Sequence, residues 1–122
     1  MRGSSCFRKE IDILIDAHMH VFDIQQLSLS PKKLRYVPEK SASFEEYHSL
    51  AEPRGITGCL VVQPSFLGTH NGYISQFLNA EKEIFGVAVV EPRISFPELK
   101  SLSHRGYRGI RWNLVQQSEE AL

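Results

Sequence analysis

A chain of 122 residues, 42% of them hydrophobic and 23% charged, has the composition of a soluble globular protein and the size of one domain at most. Fourteen basic residues balance fourteen acidic ones, so the chain lacks the net basic face that nucleic acid or an anionic membrane surface selects. Its apolar runs fall far short of the roughly 20 residues that cross a bilayer, and its start has no apolar segment resembling a secretory signal.

Residues 1–10 read as a polar, flexible start that holds Cys6. With Cys59 as the one other cysteine, a disulfide framework is not expected, and a reducing cytoplasmic setting is. The first strand is IDILIDA (11–17), with His18 and His20 just beyond it. Side chains alternate along a strand, so Leu14, Asp16, His18 and His20 are expected on one face, with Ile13, Ile15 and Ala17 on the other. A His-x-His pair at a strand end can bind one divalent metal ion or one substrate oxyanion. Two solvated surface histidines are the plainer alternative. The loop 24–42 that follows is long enough to suggest a function of its own.

SFEEYHSLAE (43–52) reads as a helix capped by Ser43, acidic in its first turn and stopped by Pro53 and Gly55. GCLVVQPS (58–65) and IFGVAVVE (84–91) are near-continuous apolar runs, the pattern of strands covered on both faces in a parallel sheet. Cys59 fits there as a small buried hydrophobe. Gln63 and Ser65 close the second strand, and Gly68, Thr69, His70 and Asn71 turn into a helix over 71–83. That helix spaces Tyr73, Phe77 and Ala80 along one face. Thr69 or Asn71 can cap it, or its N–H groups can meet an anionic substrate. A third helix, 95–106, has Ser95 as N-cap, Pro97 in its first turn and Gly106 at its stop.

The fourth strand, 107–114, sets Arg111 and Asn113 on one face, with Ile110, Trp112 and Leu114 on the other, under helices. A buried arginine needs a partner. Asp16 or Glu91 can serve structurally, and a substrate carboxylate, gripped bidentately, can serve functionally. The order β-loop-α-β-α-β-α-β implies an α/β fold of right-handed βαβ units on a parallel sheet. Four polar clusters then sit at the C-terminal strand ends, where a (β/α)8 barrel builds its active site.

The blocks IDAHMHVFD, YVPEKSA, GCLVVQPSFLGTHNGYISQFLN, GVAVVEP and GYRGIRWNL together resemble the amidohydrolase-related (amidohydrolase 2) TIM-barrel family. Within it they look like the 2-pyrone-4,6-dicarboxylate hydrolases and related lactonases. The likeness runs in register from about residue 11 to 115, which marks one domain followed by a polar tail, 116–122. It implies a partial (β/α)8 TIM barrel, the first four strands with three intervening helices, whose first strand ends in D-x-H-x-H. By this resemblance His18 and His20 match the pair that binds metal in many members. In the pyrone-dicarboxylate branch the pair polarises the lactone carbonyl without a tightly required metal. Tyr36 matches a tyrosine of the long first loop, Ser65 the residue ending strand two, and Arg111 an arginine that holds a substrate carboxylate.

Two positions depart from the family pattern. His70 stands where Asp is common, and Gln117 where the pyrone-dicarboxylate enzymes carry a second carboxylate-binding arginine. Another lactone or acid therefore fits at least as well as the dicarboxylate. A complete barrel runs about 250 residues, and the family's later histidines and final-strand aspartate have no counterpart in the sequence. The resemblance thus implies a truncated hydrolase, inactive alone, whose complete form opens a small carboxylated lactone with no cofactor or with a divalent metal such as Zn. The alternative is a non-catalytic half-barrel or pairing subunit. Self-association through open barrel edges is expected in either case.

Overall fold

The structure, a computed structural model, describes residues 13–29 and 38–112, without the side chains of 27–29. Tyr36, Asn113 and Gln117 lie outside the described residues. Four parallel strands, β1 (Ile15–Met19), β2 (Gly58–Val62), β3 (Ile84–Val89) and β4 (Tyr107–Arg111), form one sheet in chain order. Helices α1 (Phe44–Ala51), α2 (Gly72–Ser75) and α3 (Phe96–His104) lie in the three connections. This is the expected α/β arrangement, half of a barrel's strands. None of these helices is long and apolar enough to cross a membrane.

Local chemistry accounts for the helix starts. Ser43 accepts the Glu46 N–H while the Glu46 carboxylate reaches back to the Ser43 N–H, a capping box that is typically worth about 1 kcal/mol. Ser95 caps α3 in the same way, through the Glu98 N–H. Pro53 and Gly55, the latter at φ 80°, end the first helical segment.

The helix expected over 71–83 is broken. Only Gly72–Ser75 is α-helical, and a 3-10 turn follows at Ala80–Lys82. Asn79 causes the break: its side chain accepts the Glu81 and Lys82 N–H groups, and its backbone pairs with Ile84. An asparagine that satisfies neighbouring backbone this way competes with helix. Tyr73 and Phe77 still meet edge to face, and Phe77 stacks on Phe44 of α1 at 5.2 Å, whereas Ala80 is exposed.

The core fills the space between the helices and one face of the sheet. Met19, Val21, Cys59, Val61, Ala88, Val90 and Tyr107 project into it, and Ile74 and Leu102 close it from the helices. Leu60, Val62, Val87 and Val89 alternate with these residues along the same strands and so face the opposite side, the side that becomes a barrel lumen. Ile110 and Trp112 alternate with Arg111 as expected. They are not packed under a helix among the described residues, at 45% and 48% exposed.

Gly58 opens β2 at a tightly packed point. A Cβ there meets the Glu83 carbonyl oxygen at 2.6 Å and the Ile15 Cδ1 at 2.9 Å. The carbonyl belongs to the backbone and cannot rotate aside. Gly58→Ala is therefore expected to destabilise the chain by about 1–3 kcal/mol, the usual cost of overpacking, read as a lower urea midpoint at unchanged slope.

Candidate active site

The site begins with a miscount between two strands. Asp16 pairs with Cys59 and Met19 pairs with Val61, so three steps along β1 match two along β2. The extra residue is a bulge, and it reverses the facing of everything after it. Asp16 therefore points to the helix side, where its Oδ2 accepts the Tyr47 hydroxyl at 2.9 Å. Its Oδ1 accepts the His18 N–H at 3.0 Å. Met19 and Val21 stay in the core, and His18 and His20 turn to the lumen side. The common face expected for Asp16, His18 and His20 is thus corrected: the histidines share a face, and Asp16 is on the other. Leu14 moves with Asp16, while Ile15 sits beside Gly58 on the lumen side.

The two imidazoles meet edge to face, with centroids 5.0 Å apart. His20 Nδ1 lies 2.7 Å from the Val62 carbonyl oxygen, just past the last ladder pair of β1 and β2. A carbonyl only accepts, so Nδ1 carries the proton and Nε2 of the neutral ring keeps its lone pair. Burial pushes the His20 pKa below its ordinary value, against the opposing pull of the Val62 carbonyl. The positive charges of His18 and Arg111 push in the same direction as burial. The ring is held as a neutral base with one oriented nitrogen.

Arg111 joins this face from β4, in register with Val89, and is half-buried. No ion pair holds it among the described residues, whose one salt bridge joins His48 to Glu52. Asp16, one of the two structural partners considered, is committed to Tyr47 on the opposite face. Ser65 is half-buried at the start of a 3-10 turn, Ser65–Leu67, that follows Pro64.

The loop from 64 to 71 is tied down by two amide side chains whose roles are not visible in composition. Gln63 is fully buried and donates from Nε2 to the carbonyls of Gly68 and His70, at 3.2 and 2.7 Å. Asn71 makes no side-chain cap. It bonds the backbone of Val89 twice instead, donating to the carbonyl at 2.9 Å and accepting the N–H at 3.0 Å. The Tyr107 hydroxyl adds a bond to the Asn71 carbonyl. His70 is exposed and contributes its backbone to this clamp.

Among the described residues, no group of three or more His, Cys, Asp or Glu side chains is placed to hold a metal ion. His18 and His20 offer two imidazoles, half of a tetrahedral shell. On their own, the donors described do not make a zinc site.

No family model matches the chain. It is 31% identical over 98 residues to a 4-sulfomuconolactone hydrolase of Rhizobium radiobacter, covering 80% of this chain and 32% of that protein. It is 31% identical over 105 residues to a 2-pyrone-4,6-dicarboxylate hydrolase of Comamonas testosteroni, covering 84% and 34%. The crystal structure of a probable 2-pyrone-4,6-dicarboxylic acid hydrolase from Acinetobacter baumannii, with citric acid bound, matches with a TM-score of 0.69 at 36% identity, covering 80% and 36%. The chain is a homologue of the 2-pyrone-4,6-dicarboxylate hydrolases. It spans about a third of the length of the relatives it matches.

The lowered His20 pKa sets a pH dependence. A folded histidine that resists protonation binds fewer protons than the unfolded chain, so stability is full above the unfolded pKa of about 6.5 and falls as the pH drops below it. Urea midpoints from pH 8 to 5 are expected to decline below that value, and His20→Gln to flatten the decline. An equal decline in the variant would remove His20 as its source.

Proposed function

We propose that this chain forms the first four strands, with the three helices between them, of a hydrolase for a small carboxylated lactone. The observation that carries this is the orientation of His20, whose Nδ1 is tied to Val62 while Nε2 stays available beside His18 and the charge of Arg111. In the proposed reaction, His18 and His20 polarise the scissile carbonyl, and Arg111 grips a substrate carboxylate. Tyr36 and Ser65 orient the acid. Water then attacks by general-base catalysis. Asp16 is unsuited to be that base because both its oxygens are engaged away from the lumen. The base is expected on the strands that complete the barrel. The homologues' substrates, a sulfomuconolactone and a pyrone dicarboxylate, support an anionic lactone as the class. Zn²⁺ is expected to bind weakly at most, through His18 and His20.

Binding is tested on the 122-residue chain with a pyrone dicarboxylate as probe. Saturable shifts of the His20 ring and Arg111 side-chain resonances are expected. Arg111→Ala should weaken binding by about 10- to 100-fold, the worth of a lost charge-assisted hydrogen bond. A probe that leaves both side chains unmoved at millimolar concentration would defeat the assignment.

A second proposal concerns association. Ile13, Leu14 and Ile15 on β1 and just before it are 70%, 50% and 40% exposed, and Ile110 and Trp112 lie on the opposite edge. Open edges with apolar side chains pair with further chains. Light scattering across a concentration series is expected to show an oligomer, the non-catalytic pairing role being the alternative use of the same surface. A monomer at high micromolar concentration would contradict it.

A further inference from the structure

We infer that Asp16 is a positioning residue, which fixes the β1 bulge and thereby holds His18 and His20 together on the lumen face. Three observations converge on this carboxylate. The register between β1 and β2 slips between Asp16 and Met19, and there alone in that pair. Inside the slip, Asp16 Oδ1 takes the N–H of His18, so an amide at the irregularity has an acceptor within its own strand. Oδ2 takes the Tyr47 hydroxyl from α1, and Asp16 is itself in register with Cys59, which is 2% exposed in the core. One end of the bulge is thus bolted to the packed helix layer, and its other end, Met19, is buried. Between these two fixed points the chain must lodge one extra residue, and His18 and His20 emerge on the opposite side.

Bulges are common in edge strands, and they keep their place where the residues on either side are fixed. Relaxation here would carry the histidines toward the core side and drag Met19 or Asp16 out of place. The two hydrogen bonds to one ionised carboxylate oppose this, each stronger than a neutral pair. Tyr47 is suited to its part. Burial, and then its bond to Asp16, raise its pKa above the ordinary value, so the hydroxyl stays protonated and donates.

Asparagine is the informative substitution. In Asp16→Asn, Oδ1 still accepts from His18, and Nδ2 can donate to the Tyr47 oxygen, so the geometry survives without the charge. Asp16→Ala removes both bonds. The test uses the 122-residue chain, with amide exchange at His18 and the cross-relaxation between the His18 and His20 rings as readouts. The amides of Val21 and Val61 report the core. In Asp16→Ala, His18 exchange is expected to accelerate on the order of tenfold, the equivalent of one lost hydrogen bond. The ring contact should fade while Val21 and Val61 stay protected. Asp16→Asn should keep both signals, and Tyr47→Phe should accelerate His18 exchange by a smaller factor. If Asp16→Ala does not fold, the contrast between retained signals in Asp16→Asn and acceleration in Tyr47→Phe decides.

Unchanged His18 exchange and ring contact in Asp16→Ala, or in Tyr47→Phe where the alanine variant does not fold, overturns the inference. So does Asp16→Asn losing the ring contact. The importance of the bolt for catalysis rests on the hydrolase function proposed above, but its readouts do not. A failed substrate titration would remove the function and leave the bolt standing, and a failed exchange experiment would do the reverse.

Discussion

Parallel strands are held by evenly spaced hydrogen bonds, so a residue gained on one strand cannot be absorbed gradually; it must be lodged at one place. In this chain one is lodged in β4, opposite Gly86 and Val87, and another in β1, between Asp16 and Met19. Before that point the odd and even positions of β1 have one assignment to core and lumen, and after it they have the other. Met19 and Val21 can be core residues only because the slip occurs. For the same reason the histidines come out where Arg111 can act on them. The packing of the hydrophobic layer and the composition of the polar face therefore both follow from backbone slips, the one in β1 turning the histidines to the lumen and the one in β4 turning Arg111 there.

The second strand end uses a different device. Rather than bending the ladder, it lengthens it with side chains. The Asn71 amide presents one donor and one acceptor to Val89, as a neighbouring peptide unit would, and Gln63 anchors the far side of the loop through two carbonyls. Five backbone groups, the Thr69 carbonyl among them, are satisfied by two residues, which allows an irregular loop to lie close against the sheet with those groups paired. Ser65 and His70 inherit their positions from this arrangement.

The strands and their order were legible because β2 and β3 are continuous apolar runs and the chain alternates regularly between strand and helix signals. The caps at Ser43 and Ser95 were legible because a serine N-cap is a purely local pattern. The broken helix after Ser75 was not, since Tyr73 and Phe77 keep helical spacing, and the interruption depends on how Asn79 divides its bonds between Glu81, Lys82 and Ile84. Nor was the facing of Asp16. Strict alternation is the correct rule for a regular strand, and a bulge is a property of two strands that neither reveals alone. Asn71, like Thr69, has the position of a possible helix cap, but its side chain follows a partner 18 residues away. His18, His20 and Arg111 were legible as candidates because polar side chains at the ends of apolar strands stand out. Tyr36 lies outside the described residues.

Asn71 is followed by Gly72, and that neighbour exposes the loop to chemical ageing. An asparagine amide preceding glycine is open to attack by the next backbone nitrogen, with loss of ammonia, because glycine puts no side chain in the way. The reaction leaves an acid where the amide stood, among the changes that make asparagine thermolabile. Here that acid would turn an oxygen toward the Val89 carbonyl in place of the lost N–H donor. While folded, the Asn71 side chain is held by both of its polar atoms and by the strand beside it, which keeps it from the geometry of attack. Stored protein that opens at this loop would record each opening as a permanent negative charge, so the age of a preparation would be written at residue 71.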